Sequence, residues 1–166
     1  MDAGIYLHEI AEQFAKLGLE AVVIGNAAAA IQGAPVTTID IDFLFRKTPP
    51  NVAKLKKLAK ALDMVIFNPL YPASQMFRLM RESDALQLDF CVRIHGVRAY
   101  ESLRSRATQV RFGGNQLLVA SLADVIKSKR AAGRPQDLAV LITLEEAYAK
   151  IQAREKAKAD EPKEAI

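Results

Sequence analysis

The sequence predicts an α+β protein in which short apolar strands alternate with amphipathic helices. Three observations lead to this prediction. An apolar segment, 21–24, ends at a glycine turn; a later strand carries two carboxylates, Asp40 and Asp42; and two further segments have the pattern of hairpins. The last third of the chain has the composition of helices, so the helices are expected to lie at the C-terminal end.

The first half of the chain is assigned from periodicity and breakers. Apolar residues at spacings of three and four predict a helix over 5–17, which Gly18 ends. A strand follows at 21–24. Thr48 and the two prolines after it break the chain and begin a helix through Leu62, and 64–67 is then predicted to be a strand.

The second half contains the two hairpins. Residues 68–75 include two prolines and predict a loop, whereas 77–81 and 86–92 predict paired strands. The segment 108–119, with Gly113-Gly114-Asn115 at its turn, predicts a second hairpin. Ser121 resembles the start of a capping box with Asp124, and a final helix is predicted from Arg134 to about Arg154.

Composition predicts one domain. The chain has 166 residues, of which 51% are hydrophobic and 25% charged, which is ordinary for a globular protein with a proper core. We therefore expect a single domain over 1–154 and a charged, disordered tail over 155–166. No apolar run approaches the ~18–20 residues of a membrane span, and no basic, hydrophobic leader opens the chain. These features predict a cytoplasmic protein with no membrane contact.

The single cysteine and the modest net charge limit the kinds of metal site and binding partner that the sequence allows. Cys91 has no second cysteine to pair with, so an internal disulfide and a cysteine-based zinc site are excluded, and its apolar surroundings indicate buried packing. The net charge of +4 permits contact with RNA without requiring it.

Asp40 and Asp42 are the first candidate site residues. Side chains alternate along a strand, so these two carboxylates are expected to point one way while Ile39, Ile41 and Phe43 point the other. Two like charges in an apolar strand are costly unless a cation lies between them. Mg²⁺ binds carboxylates together with substrate phosphates, so the pair predicts a magnesium site and a phosphate ligand.

Gly25 and Asn26 are the second candidate. They close an apolar strand and open an alanine-rich run of good helix formers. A helix N-terminus attracts phosphate, glycine lets the backbone approach the ligand closely, and asparagine is a favourable N-cap residue. The alternative is an ordinary turn between a strand and a helix.

Together these features resemble the nucleotidyltransferases of the polymerase-beta superfamily, especially the small single-domain members. The family pattern is an apolar strand with a small-residue turn, a short helix, an Asp-x-Asp strand and a third aspartate on a later strand. Its counterparts here are Gly25-Asn26, Asp40-x-Asp42 and Asp89. The segment that contains Lys129, Arg134 and Asp137 is similar to the closing part of these proteins, including the nucleotidyltransferase members of bacterial toxin–antitoxin pairs.

The resemblance implies a small mixed sheet flanked by helices and a transferase that uses two Mg²⁺ ions and an NTP such as ATP. The implied catalytic and metal-binding residues are Asp40, Asp42 and Asp89. The implied nucleotide-binding residues are Gly25, Asn26, Thr38, Lys129 and Arg134. A nucleoside monophosphate would pass to a hydroxyl group of RNA or of a protein, and a toxin partner or a second copy of the chain is compatible with such a role.

Two positions depart from the family pattern. Asn26 stands where the family has glycine or serine, and Val36 stands where it often has an arginine near the triphosphate. Arg46, Lys47 or Lys129 could supply the missing cation. The alternative for the three aspartates is that Asp40 and Asp42 cap a loop while Asp89 pairs with an arginine. The alternative for Lys129 is that it pairs with Asp137.

Three functions are therefore weighed. The first is an active nucleotidyltransferase on RNA or a partner protein. The second is transfer to a small molecule such as an aminoglycoside, ranked lower because in the family it usually accompanies an added C-terminal helical domain. The third is a catalytically silent protein that binds nucleotide or neutralises a partner, suggested by Asn26 and Val36.

Overall fold

The computed structural model describes residues 3–67 and 75–160. Within them it contains six helices and seven strands. Their bounds are α1 (Ala3–Leu17), β1 (Ala21–Ile24), α2 (Gly25–Ile31), β2 (Ile41–Phe45), α3 (Pro49–Ala61), β3 (Val65–Phe67), β4 (Met76–Arg81), β5 (Leu86–Cys91), α4 (Tyr100–Arg104), β6 (Thr108–Phe112), β7 (Asn115–Val119), α5 (Leu122–Ala132) and α6 (Pro135–Asp160). The predicted α+β class, with helices at the C-terminal end, is confirmed.

All seven strands form one mixed sheet in the order β3-β4-β5-β2-β1-β7-β6. The central strand β2 pairs antiparallel with β1 and parallel with β5. The register places Asp42 opposite Ile24 on one side and opposite Asp89 on the other. The two strands that carry the predicted aspartates are therefore direct neighbours in the middle of the sheet.

The two faces of the central strands have different roles. Phe43 and Phe90 stack with ring centroids 4.8 Å apart, and Phe14 of α1 lies 5.1 Å from Phe43, so this face holds an aromatic core. Because side chains alternate along each strand, Asp42 and Asp89 lie on the opposite face. The buried aromatic layer thus fixes the strands that present the carboxylates.

Most predicted elements are found with small shifts at their ends. Thr48 caps α3 by accepting a hydrogen bond from the backbone N–H of Asn51, and both hairpins form as expected. Ser121 caps α5 through the N–H of Asp124, and Gly133 ends that helix with φ at +63°. The predicted loop over 68–75 lies outside the described residues except for its last position.

Two expectations about chain segments are corrected. Asp40 and Ile39 precede β2 instead of lying within it, and the side chain of Ile39 is 83% exposed instead of sharing the buried face of Ile41. The last helix continues past Arg154 to Asp160. The rest of the predicted tail, 161–166, lies outside the described residues.

None of the helices in the described part of the chain combines the length and apolar character that a membrane span requires.

Candidate active site

Asp40, Asp42 and Asp89 form a cluster on the face of the sheet opposite the aromatic core. One carboxylate oxygen from each residue lies within 4.8 Å of the other two. The parallel register of β2 and β5 brings Asp42 beside Asp89, and Asp40 joins them from the residue just before β2. Oxygen ligands converging from three carboxylates are the donor set that a hard divalent cation such as Mg²⁺ prefers.

The three carboxylates differ in their hydrogen-bond partners. Asp40 accepts hydrogen bonds from the Thr38 hydroxyl at 3.1 Å and from Gln87 Nε2 at 3.4 Å. Asp89 is held by Arg78 through two bonds, from Nε at 2.8 Å and from Nη2 at 2.7 Å. In the part of the chain that the structure describes, no group donates to the Asp42 carboxylate. Asp42 is thus the ligand most open to a metal ion.

Asp42 is also the most electrostatically strained of the three. Burial, together with the charges of Asp40 and Asp89, raises the pKa of Asp42 to about 7, and Lys129 and Arg134 oppose the rise. The ionised form that a metal needs is therefore disfavoured in the bare protein. A bound cation would relieve this cost, so the cluster fits a divalent ion.

The glycine turn contacts the cluster through Gly25. This residue has φ at +65°, and a Cβ added to it would lie 2.8 Å from Asp42 Oδ2. Only glycine lets the backbone pass so close to the carboxylate in this conformation. The close approach predicted at Gly25 was toward a phosphate ligand, and the neighbour that the structure shows there is Asp42.

The prediction that Asn26 caps the following helix is wrong. Helix α2 begins at Gly25 with Ile24 as its N-cap residue and without a side-chain cap. Asn26 Nδ2 instead donates to the carbonyl of Thr37 at 3.2 Å, and its Oδ1 is buried with no hydrogen-bond donor among the described residues. Asn26 therefore ties the turn to the loop that leads to Asp40.

We expect Gly25→Ala to lower the affinity of the protein for Mn²⁺ and to reduce its stability. The added methyl group would displace the Asp42 carboxylate, and the positive φ would cost a non-glycine residue about 1–2 kcal/mol. Gly33→Ala is the matched control, because Gly33 has φ at +91° with nothing within 4 Å of its added Cβ. Thermal melts and Mn²⁺ titrations should show a stability loss in both variants and an affinity loss in Gly25→Ala alone. Equal affinities would show that the close contact has no role in the site.

A cavity of about 630 Å³ opens above the carboxylates. All the predicted site residues line it: Gly25, Asn26, Thr38, Asp40, Asp42, Asp89, Lys129 and Arg134. One wall of the cavity contains Lys129 of α5 and Arg134, which lies in the connection between α5 and α6. The sequence segments assigned to the site thus meet at one cavity.

Lys129 and Arg134 both pair with Asp137. Lys129 Nζ lies 3.3 Å from Asp137 Oδ1, and Arg134 Nε lies 2.5 Å from Oδ2. The pair between Lys129 and Asp137, one of the two sequence alternatives, is therefore present. Since Asp137 is buried at 2% exposure of its side chain, it holds both cations at the cavity wall.

Of the three residues that could replace the family arginine, one lies at the cavity. Val36 packs against the hydrophobic core. Arg46 pairs with Glu20 and Glu101, and neither Arg46 nor Lys47 is among the residues that line the cavity. Of the three candidates, Lys129 is the one at the site.

Sequence reasoning missed several residues of the cavity. Arg78, Gln87, Arg93 and His95 line it or contact the carboxylates. Arg78 could have been found, because a hairpin that pairs Arg81 with Leu86 places Arg78 opposite Asp89. Arg93 and His95 lie outside the strands and helices, so periodicity gave no signal for them.

Cys91 also lines the cavity instead of packing within the core. It is half-buried and shares its face of β5 with Asp89. Burial raises the pKa of the Cys91 thiol to about 12, with Asp42 and Asp89 adding to the rise. The thiol is therefore protonated at neutral pH and is a poor nucleophile.

Comparison with known proteins gives structural neighbours only. No protein-family profile matches the sequence, and no curated protein matches it. The crystal structure of ANT(2'')-Ia in complex with adenylyl-2''-tobramycin aligns with a TM-score of 0.60 at 14% identity, over 93% of this chain and 92% of that one. The chain has a nucleotidyltransferase-like fold.

Two other structures support the same fold. The solution structure of the antibiotic-resistance factor ANT(2'')-Ia aligns with a TM-score of 0.57 at 14% identity, covering 96% of this chain and 97% of that one. An antigenic nucleotidyltransferase-like protein from Paracoccidioides brasiliensis aligns with a TM-score of 0.53 at 15% identity, covering 94% and 90%. The fold implied by the sequence resemblance is therefore confirmed, and these neighbours are similar to the chain along nearly its whole length.

Proposed function

We propose that this protein is a magnesium-dependent nucleotidyltransferase that transfers a nucleoside monophosphate from an NTP to a hydroxyl group of RNA or of a partner protein. The observation that carries the proposal is the cluster of Asp40, Asp42 and Asp89 at the base of a cavity whose wall bears cations. Oxygen ligands beside fixed cations match what nucleotidyl transfer requires, which is charge neutralisation and positioning of a triphosphate.

In the proposed reaction the acceptor oxygen attacks the α-phosphorus in line with the bond to the β-phosphate. The new P–O bond forms as that bond breaks, the proton of the acceptor hydroxyl passes to water, and pyrophosphate leaves. Asp40 and Asp42 would hold two ions between them, and Asp89 would complete the second site. Bound Mg²⁺ supplies neutralisation of phosphate charge and a lower pKa for the attacking hydroxyl.

The nucleotide would bind beside the glycine turn and the cationic wall. Gly25 leaves room for the ligand next to Asp42, and Thr38 and Asn26 fix the loop before Asp40. Lys129 and Arg134 are held in place by Asp137, so they can meet phosphate oxygens with little loss of side-chain freedom.

The charges around the cavity favour an anionic acceptor such as RNA. Two carboxylates outside the cluster line the cavity, and each is already paired: Asp124 with Arg106 and Asp137 with Lys129 and Arg134. Arg93 lines the cavity and has no ion-pair partner among the described residues. A polycationic acceptor would find few free carboxylates here, whereas a phosphate backbone would find a free guanidinium.

Transfer to a small molecule is the second candidate, because of the structural neighbours. The neighbour solved with adenylyl-2''-tobramycin is covered over 92% of its chain, so an additional C-terminal domain is not needed for a protein of that kind. The ranking that relied on the missing domain therefore loses its basis. The paired state of Asp124 and Asp137 is the remaining reason to place this candidate second.

A catalytically silent protein is the third candidate. Val36 contributes to packing and Asn26 to tying a loop, so both departures from the family pattern have structural roles that leave the cluster intact. Burial of Asp42 beside two further carboxylates carries an electrostatic cost that a silent protein has no need to keep. Both this candidate and the first are compatible with a cytoplasmic toxin–antitoxin pair. The partner would then be a toxin or a second copy of the chain.

Transfer of radiolabel tests the three candidates together. Each α-labelled NTP is incubated with the protein, Mg²⁺ and cell lysate, and RNA, protein and small-molecule fractions are separated, with an EDTA arm as control. We expect Mg²⁺-dependent label in RNA or protein. Label only in the small-molecule fraction would establish the second candidate. Mg²⁺-dependent nucleotide binding without label in any fraction would favour the third.

Arg93→Gln tests the anionic acceptor. Removing one phosphate contact should weaken binding of a labelled RNA about threefold to tenfold and lower the slope of log affinity against log salt by about one. Arg111→Gln is the control, since Arg111 is an exposed arginine of β6 that does not line the cavity. Fluorescence anisotropy over a salt series measures both quantities. Equal RNA affinity for wild type and Arg93→Gln would exclude Arg93 from the acceptor site.

A further inference from the structure

Arg78 is paired with Asp89, the carboxylate that the second metal ion of the proposed site would use as a ligand. We infer that Arg78 is a positioning residue whose guanidinium acts as an internal cation and holds the Asp89 carboxylate. The two proposed metal sites would then fill in sequence, and the second would fill only when nucleotide is bound. This inference rests on the proposed function. It concerns how the metal site is assembled and goes beyond which residues compose it.

The contact between Arg78 and Asp89 is geometrically complete. Two parallel hydrogen bonds of 2.8 Å and 2.7 Å join the guanidinium to both carboxylate oxygens, and Gln87 Nε2 donates to Oδ2 at 3.1 Å. The Asp89 side chain is 5% exposed. A bidentate, charge-assisted pair in such a setting is among the stronger polar contacts in proteins. A metal ion that uses Asp89 must compete with it.

Asp40 and Asp42 are free of this competition. Asp42 receives no hydrogen bond from the described residues, and Asp40 receives one from Thr38 and a longer one from Gln87. No cationic side chain is paired with either carboxylate in the described part of the chain. The first divalent ion therefore has two available ligands, while Asp89 is already neutralised.

Arg78 also has a route away from Asp89. Its side chain is 39% exposed and lines the cavity on the opposing strand β4. A triphosphate in the cavity would offer the guanidinium another anionic partner, since arginine binds phosphate in the same two-pronged way as carboxylate. Release of Asp89 would then coincide with nucleotide binding.

Counting bound Mn²⁺ by electron paramagnetic resonance tests the inference without measuring activity. The wild-type protein should bind one ion without nucleotide and two with α,β-methylene ATP, which resists transfer. Arg78→Gln should bind two ions without nucleotide, the second about tenfold to a hundredfold more tightly than in the wild type, because a charge-assisted contact no longer competes. Arg78→Lys, which keeps the charge and loses the bidentate geometry, should be intermediate.

Arg93→Gln is the matched control. It removes the same charge from the same cavity, and Arg93 has no ion-pair partner among the described residues. Arg93→Gln should remain at one ion without nucleotide. If it gains a second ion as Arg78→Gln does, general electrostatics explain the gain and the inference is overturned.

Thermal melts will show whether Arg78→Gln folds. If it does not, the number of Mn²⁺ ions bound by the wild-type protein tests the inference by itself. Two ions of similar affinity in the nucleotide-free wild type would overturn the role of Arg78 and leave the proposed function intact. Absence of Mn²⁺ binding at millimolar concentration, with or without nucleotide, would overturn both. An unchanged second-ion affinity in folded Arg78→Gln would overturn the inference alone.

Discussion

Asp42→Asn is expected to reduce the proposed nucleotidyl transfer by about a thousandfold or more, since it removes the carboxylate that is most available to the proposed metal ions. Asp42 is the member of the cluster that no hydrogen-bond donor engages in the described structure, and it lies between Asp89 on the neighbouring strand and the Gly25 backbone. An amide of the same size keeps the packing but loses the negative charge. The loss should therefore appear in the rate constant.

Single-turnover incorporation of α-labelled nucleotide, at equal folded fraction, measures this effect. Asp124→Asn is the control, because Asp124 is a carboxylate of the same cavity that Arg106 and Ser121 engage, outside the proposed metal site. Asp124→Asn should change the rate less than about tenfold once folding is matched. Near-normal transfer by Asp42→Asn would refute the assignment of the cluster as catalytic.

The same substitution is expected to stabilise the metal-free protein at alkaline pH by about 2–4 kcal/mol. Burial and the charges of Asp40 and Asp89 raise the pKa of Asp42 to about 7 in the folded state from 3.8. A raised folded pKa means that the folded state binds the proton more tightly than the unfolded state does. The stability that the wild type gains from protonated Asp42 is full below pH 3.8 and is lost as pH rises through about 7.

Asparagine does not ionise, so the difference in stability between Asp42→Asn and wild type should grow from near zero at pH 4 to its maximum at pH 8. Chemical denaturation in EDTA over this range measures it. Asp63→Asn is the control, because Asp63 is exposed and its φ of +52° suits asparagine equally well. Saturating Mg²⁺ should reverse the order, since wild type alone keeps the full ligand set. A difference independent of pH would show that the charge of Asp42 is not strained.

Local rules were sufficient where neighbouring residues control the structure. The period of two from Ile41, the breakers at Gly18 and Thr48-Pro49-Pro50, and the pattern of the segments 77–81 and 86–92 predicted a strand, helix ends and a hairpin that are found. The register of the same hairpin also places Arg78 opposite Asp89. The cap at Asn26 failed because α2 begins one residue earlier, at Gly25, so Asn26 lies within the helix and its Oδ1 accepts no hydrogen bond from the described residues.

By itself, then, the sequence determined the α+β class, the strands that carry Asp42 and Asp89, and the set of predicted site residues that line one cavity. Only the tertiary structure decided that Arg78 neutralises Asp89, that Asp137 holds both Lys129 and Arg134, and that Arg93 and His95 reach the cavity. Residue spacing fixes which way a side chain points from its own strand or helix. The partner it meets depends on how distant segments pack, because ion pairs and cavity walls form between elements far apart in the chain.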